Sequence, residues 1–407
     1  MGLKGNGIVA QSGGPTAVIN SSVCGVIEEW LASEGLGTLY GAVHGIKGVL
    51  EGDFVNLSCQ RSDTIKGLKY TPGAALGTCR HKLGEEDLPT MVQGFKKLDI
   101  RYFFYLGGND SMDTANKVNQ LALKSGYELK VIGVPKTIDN DLACTDHCPG
   151  YGSAAKYLAT TVLETGLDLK CLADGNCIAI LEAMGRHAGW LAGATALAKK
   201  NENDPPHLIY LPEVPFDQET FLVDVESTFR RLGHAYVVAS EGLVNEKGEH
   251  VFAEAKKDRF GHVQLGGLAN ALKALVEKEI GVKTRANVLG TSQRAAMHIA
   301  SRTDIDEAYM VGVQAVKLAL NGESGLMVTM ERDTARQDYH CRMGSVELGR
   351  VANMEKKVPV EWISDLGNGV TEEFVEYAGP LIQGEVQLPF KNGLPDYTGL
   401  IHSKETK

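Results

Sequence analysis

The sequence predicts an α/β protein built from parallel sheets covered by helices, organised as two domains and at most three. Two observations carry that prediction. A short apolar run, then a glycine or polar turn, then a helical pattern recurs along the chain, and this alternation is the signature of parallel sheets. The length, 407 residues, exceeds what one hydrophobic core normally serves.

Taken in order, "GIVA" (7–10) leads into "QSGGPTAVINSSVCGVIEEWL", and "YFFYL" (102–106) leads into "GGNDSMDTANKVNQLALKSG". "LKVIGV" (129–134) leads into "PKTIDND", "CIAILEA" (177–183) into "MGRHAGWLAGATALAKK", and "AYVVA" (235–239) into "SEGL". The stretch 152–173 reads as one helix with Ala155, Leu158, Ala159, Val162 and Leu163 on one stripe, carrying the chain into its second domain. "NENDPPH" (201–207) reads as a polar loop, and "HVQLGGLANALKALVEKEIG" as a helix. From about residue 355 the chain is Gly/Pro-punctuated and is expected to wrap the surface, ending in a frayed tail.

The net charge of −10 argues against a nucleic-acid or membrane-surface partner, so an anionic substrate would need a locally basic pocket. No signal-like or membrane-length apolar run is seen. The eight cysteines, Cys24, Cys59, Cys79, Cys144, Cys148, Cys171, Cys177 and Cys341, are scattered, which suggests reduced thiols in a cytoplasm. Cys144, His147 and Cys148 cluster, but a fourth ligand at zinc spacing is missing.

In a parallel sheet, ligands bind beyond the carboxyl ends of the strands, and five polar motifs fall there. In "SGGPTAVIN", Gly13 and Gly14 allow an anion to approach the backbone ahead of a helix N-terminus; a tight turn would need the same glycines. In "LGGNDSMDTA", Ser111 is expected to cap a helix, while Asn109 and Asp110 supply oxygen donors suited to Mg²⁺ or, more plainly, match the helix dipole. In "PKTIDND", Asp139 and Asp141 are two residues apart, so an extended turn would point them the same way; one can act as base while Lys136 offers a point charge to phosphate. In "EAMGRHAGWLAG", Arg186 is expected to open a helix, as a surface residue or as a phosphate clamp. In "KTRANVLGTSQRAA", Arg285 and Arg294 flank a strand end and would grip one phosphate together, or else remain solvated.

The ordered set "SGGPTAVIN", "GGNDS", "PKTIDND", "MGRHAGW", "SEG" and "VLGTSQR", with "YAGPLIQGE" at 377–385, resembles the phosphofructokinase family over nearly the whole chain. The resemblance implies two Rossmann-like three-layer α/β/α domains with the active site in the cleft between them. Residues 1–153 plus about 292–340 would form the donor domain, and 154–291 plus about 341–407 the sugar-phosphate domain with a C-terminal wrap. Asp110 and Lys136 stand where ATP-using members carry glycine, and both resemble the pyrophosphate-dependent branch. A carboxylate at 110 fills and repels the space an α-phosphate and nucleoside would need. By the same resemblance Asp139 takes the proton from the sugar 1-hydroxyl, Thr137 contacts sugar or phosphoryl group, and Arg80 with Lys82 steadies the transferring group. Gly13 and Gly14 line the pyrophosphate. Asn109, Asp110 and Asp141 lie near Mg²⁺. Met184, Gly185, Arg186 and Glu241 hold the sugar, and Arg294 with a neighbouring subunit's copy of Arg285 holds the 6-phosphate, implying a homodimer or homotetramer.

The sequence departs from the family at Asn109, where many members have aspartate, and at Cys177, where ATP-dependent members place an arginine. Thr291 replaces a histidine or tyrosine, and "QRAA" replaces Gln-Arg-Gly-Gly. The implied reaction is reversible, Mg²⁺-dependent phosphoryl transfer from pyrophosphate to fructose 6-phosphate. Sedoheptulose 7-phosphate, another sugar phosphate or a polyol is the alternative acceptor. A non-catalytic sugar-phosphate-binding subunit is the alternative outside enzymes, weakened by the intact "TIDND".

Overall fold

A computed structural model describes residues 3–401 except 80, 82, 85, 172–176, 253–265 and 337. Two sheets organise the chain. The larger has seven strands: β1 (Asn6–Gln11), β2 (Leu39–Ala42), β3 (Phe54–Asn56), β4 (Ile100–Gly107), β5 (Lys130–Pro135), β10 (Leu326–Arg332) and β11 (Cys341–Glu347), in the spatial order β11-β10-β5-β4-β1-β2-β3. The smaller has four: β6 (Cys177–Ala183), β7 (Leu208–Tyr210), β8 (His234–Ser240) and β9 (Thr284–Val288), in the order β7-β8-β6-β9. The interior of the large sheet is parallel and antiparallel strands close its two edges, whereas the small sheet is parallel throughout.

Each sheet is buried on both faces, which is why its central strands read as unbroken apolar runs. In the large sheet Val9, Phe104, Ile132 and Val328 face one core. Ile8, Ala10, Phe103 and Val131 face the other. In the small sheet Ala179 and Leu181 face one core, and Ile178 and Ile180 the opposite one. The chain is therefore two three-layer α/β/α units, as its alternating pattern predicts. Two distant helices, Ile19–Ala32 and Arg302–Leu320, pack together on the large sheet. Their backbones approach so closely that a Cβ at Gly25 would strike the Tyr309 carbonyl, and one at Gly312 that of Ser22.

The helix Tyr151–Lys170 buries Ala155, Leu158, Ala159 and Val162, but Leu163 is exposed, so the predicted stripe is one residue too wide. The second predicted helix begins at Leu268 and ends at Glu279. The expected return to the second unit near 341 is displaced. β11 pairs antiparallel with β10 and extends the large sheet, and its half-exposed edge gives only a weak apolar pattern. Val358, Ile363, Phe374, Tyr377 and Leu381 then enter the core around Trp190 in the second unit. The final stretch crosses back to the first unit, where Thr398 N donates to Thr71 Oγ1 (3.0 Å) and Ile401 N to Gln60 Oε1 (3.0 Å). Among the described residues, no helix is long and apolar enough to cross a membrane.

Candidate active site

β1, β4 and β5 are neighbours, and their register aligns Gln11 with Leu106 and Leu106 with Val134. The turns at 12–15, 108–110 and 136–141 therefore leave one edge of the large sheet side by side. In the small sheet Ala183 of β6 pairs with Ser240 of β8, which brings the turns at 184–187 and 241 together. The two sets face each other across a cleft of ≈ 400 Å³. Gly13, Gly14, Asn109, Asp110, Lys136, Thr137, Asp139 and Asp141 line one side, and Met184, Arg186, Glu241 and Arg294 complete it. Gly185 supports the wall rather than lining it. Its φ is 130°, and its carbonyl accepts a 2.7 Å bond from Ser240 Oγ. Arg80 and Lys82 lie outside the described residues; Cys79 and His81 line the cleft.

The 136–141 turn is held by main-chain bonds from Lys136 N to Gly107 O (3.0 Å) and from Thr137 N to Pro149 O (3.2 Å). It is not extended. Asn140 has φ 56°, so the alternation breaks and the two aspartates have different neighbours. Asp139 lies among Lys136, Arg186 and Glu241, and its backbone N–H donates to Thr137 Oγ1 (3.1 Å). Burial, then the charges of Asp141 and Glu241, push Asp139 up to about 7 against the pull of Lys136 and Arg186. Asp141, raised chiefly by burial, instead faces Glu355, Lys356 and His187. Lys136 is buried and donates through Nζ to Gly14 O at 2.7 Å; burial lowers it to about 8. A carboxylate balanced near neutrality beside a cation is suited to moving a proton next to an anionic group.

Asn109 and Asp110 open the helix Asn109–Lys124. Ser111 does not cap it: Gly108 occupies the cap position, and Ser111 is buried inside the first turn against Gly107. Asp110 is exposed towards the cleft. Asn109 Nδ2 donates to Asp141 Oδ2 (3.3 Å), while its Oδ1 is buried with no protein partner among the described residues. An orphaned buried amide oxygen calls for a cation, a water or a donor group. Asn109, Asp110 and Asp141 line the same cleft, and oxygen donors of this kind fit a hard divalent ion such as Mg²⁺. A second cluster, His147, Glu307 and Cys341, brings its ligand atoms within 4.8 Å of one another. Its mixed N/O/S donors do not suit Mg²⁺, and His147 is already bonded to Asp146 (2.8 Å) and Glu307 (2.7 Å). The predicted neighbours separate here, because Cys144 is exposed while Cys148 and His147 are buried.

Several expected positions are revised. Arg186 does not open a helix, which starts only at Trp190; it sits in the preceding bend, where a Cβ on Gly242 would strike its carbonyl. Arg285 and Arg294 do not converge within one chain. Arg285 pairs with Asp168 (2.9 Å) at the surface, outside the cleft lining, whereas a Cβ on Gly14 would lie 2.5 Å from Arg294 Nη1. Arg294 thus reaches the glycine turn of the first unit. Cys177 is buried in the second unit's core, and Thr291 is exposed. Met184 N donates to Gln293 Oε1 (2.9 Å), tying the "MGR" turn to "TSQR". Glu241, raised by burial and by Glu182, closes the second unit's wall of the cleft. The sequence reading missed the cleft residues His187 and Glu355, which pair with each other. His187 sat inside a motif already singled out, but Glu355 had no local signal.

Facing α/β units with glycine turns, cations and a near-neutral carboxylate at their strand ends define a phosphoryl-transfer enzyme. The chain belongs to the phosphofructokinase family, whose model matches residues 6–319. It is 44% identical over 412 residues to a pyrophosphate–fructose 6-phosphate 1-phosphotransferase of Halomonas elongata, covering 99% of this chain and 98% of that one. A sulfofructose kinase of Alkalicoccus urumqiensis is 33% identical, with 88% and 91% of the two chains covered. The crystal structure of a pyrophosphate-dependent phosphofructokinase from Marinobacter aquaeolei superposes with a TM-score of 0.91 at 44% identity, over 99% of this chain and 98% of that one.

Proposed function

We propose that this chain is a pyrophosphate-dependent 6-phosphofructokinase. The observation that carries the reading is the pairing of Asp139 with buried Lys136 on one turn, beside Asp110 on the next strand end. Asp139 accepts the proton of the sugar 1-hydroxyl. That oxygen bonds to one phosphorus of pyrophosphate, the bridging P–O bond breaks, and orthophosphate leaves. Lys136 and Arg294 neutralise donor charge above Gly13 and Gly14, and Thr137 orients the reacting hydroxyl. Arg80 and Lys82 steady the transferring group. Asn109, Asp110 and Asp141 would hold Mg²⁺, which would offset charge on the donor phosphates. Met184, Gly185, Arg186 and Glu241 position the sugar.

The first unit takes the donor and the second the sugar. Arg285 is exposed and turned away from its own cleft, which supports its service to a neighbouring subunit's 6-phosphate in a homodimer or homotetramer. Eight free cysteines support a cytoplasmic location. Incubation with fructose 6-phosphate, Mg²⁺ and either pyrophosphate or ATP tests the reading. Turnover with pyrophosphate alone is expected, and turnover with ATP alone rejects it. Replacing both Asp110 and Lys136 by glycine should admit ATP while pyrophosphate use falls.

A second acceptor is favoured by one observation. Cys177 is buried, so no cation reaches the acceptor from that position, and a relative at 33% identity is named a sulfofructose kinase. A screen of phosphorylated and sulfonated ketoses and polyols with pyrophosphate separates the acceptors by kcat/KM.

A further inference from the structure

We propose that Tyr377 is a positioning residue for the catalytic turn, its hydroxyl holding Asn140 so that Asp139 and Asp141 each keep their own set of neighbours in the cleft. The inference rests on the reading of Asp139 as the base. Asn140 stands between the two carboxylates, is completely buried, and adopts the left-handed backbone at φ 56°. Asparagine tolerates that conformation, but the backbone preference alone does not orient the side chain.

The orientation comes from 237 residues away. Asn140 Nδ2 donates to the Tyr377 hydroxyl at 2.8 Å, and that hydroxyl donates to Asp146 O at 2.7 Å. Tyr377 has one hydroxyl proton, and the Asp146 carbonyl must receive it. The hydroxyl can then only accept from Asn140, which fixes the amide with its NH2 towards the ring. Asn140 Oδ1 has no partner among the described residues, so the bond to Tyr377 is the side chain's anchor in this region.

The tyrosine is itself immobilised. Trp190 and Trp362 pack on it with ring centroids 5.2 Å away. The Arg332 guanidinium lies 4.8 Å from its ring centroid, and Arg332 Nη2 donates to Tyr377 O at 2.8 Å. Tyr377 lies on the helix Glu372–Ala378, part of the second unit's core. The late segment of the chain thereby grips both ends of the loop from Asn140 to Asp146, behind the cleft. A rigid support behind a reacting group affects the rate more than substrate binding.

Tyr377→Phe removes the hydroxyl and keeps the ring. The expected result is kcat lowered by about tenfold or more with both KM values within about twofold. Asn140→Ala should lower kcat in the same way, and adding Tyr377→Phe to it should cause no further loss. Tyr151→Phe is the control. It deletes a buried hydroxyl that donates to Trp190 O (3.2 Å) rather than to Asn140 or Asp146, and kcat should hold. A parental kcat in Tyr377→Phe, additive losses, or an equal fall in Tyr151→Phe overturns the proposal. Should Tyr377→Phe not fold, Asn140→Ala decides alone, and an unchanged kcat there rejects the anchor. Asp139→Asn, measured alongside, separates the two readings. If it is active, the base assignment is at fault; if it is inactive while Tyr377→Phe turns over normally, only the anchor fails.

Discussion

Two clusters of carboxylates and cations lie on the same loop, and they behave in opposite ways. The turn at 136–141 opens to the cleft, faces an Asn109 Oδ1 that has no partner among the described residues, and holds Asp139 near neutrality through burial and like charge. A few residues on, His147 is 2% exposed and bonded through both ring nitrogens, to Asp146 and to Glu307. Tyr339 donates to the other Glu307 oxygen at 2.6 Å, and Arg332 bonds Asp146 at 3.3 Å. The first cluster is incomplete without something from outside, and the second is complete in itself. Crowded charge alone does not mark a site; unsatisfied charge and unpaired polar atoms do.

The comparison breaks most directly at Asp139. Asp139→Asn keeps the volume and removes the proposed base, so kcat should fall by about 10²–10⁴-fold while the thermal midpoint holds or rises. Near-parental kcat would make the open cluster as inert as the closed one. Next in size, His147→Leu leaves buried Glu307 and half-buried Asp146 without their shared cation and should cost about 3–5 kcal/mol, read from denaturant unfolding. A loss under about 1 kcal/mol would mean the closed cluster does not hold the loop.

pH sharpens the contrast. Asp139 titrates at about 7 in the fold against 3.8 for an ordinary carboxyl, so the folded state holds an extra proton between those values. Its ionisation therefore lowers stability as pH rises through that window, and Asp139→Asn should gain on the parent above pH 7. His147 is raised from 6.5 to about 9, held by Glu307 and Asp146 against burial. Its contribution is complete below 6.5 and lost as pH climbs through 9, so the deficit of His147→Leu should shrink above that pH. Catalysis should follow the first group only. With Asp139 as base, kcat/KM should drop about tenfold per pH unit below 7. A flat acid limb removes the carboxylate from the mechanism. The smallest effect belongs to Arg285→Ala, which loses an exposed ion pair and should change stability by no more than about 1 kcal/mol. The acceptor KM should nevertheless rise if that arginine serves a neighbouring cleft.

Much of the open cluster was legible because local chemistry announces it. "PKTIDND" follows an apolar run and ends in charge, and glycine pairs at 13–14 and 107–108 mark turns where a backbone meets a ligand. The closed cluster was only half visible. Cys144, His147 and Cys148 suggested a metal set, but the partners of His147 come from residues 146 and 307, and no spacing rule connects 147 to 307. Likewise Ser111 suited a cap and Arg186 a helix start, yet packing moved both boundaries.

What the sequence determined by itself is the alternation of strand and helix, the two-unit size, and the identity of the groups at the strand ends. These follow from periodicity and turn chemistry, which act over a few residues. Strand order, the reach of Arg294 to Gly14, the surface pairing of Arg285 and the anchoring of Asn140 by Tyr377 were decided only by the tertiary structure. The physical reason is that two side chains hundreds of residues apart meet only when both sheets and the helices between them have packed, and no local preference encodes that meeting.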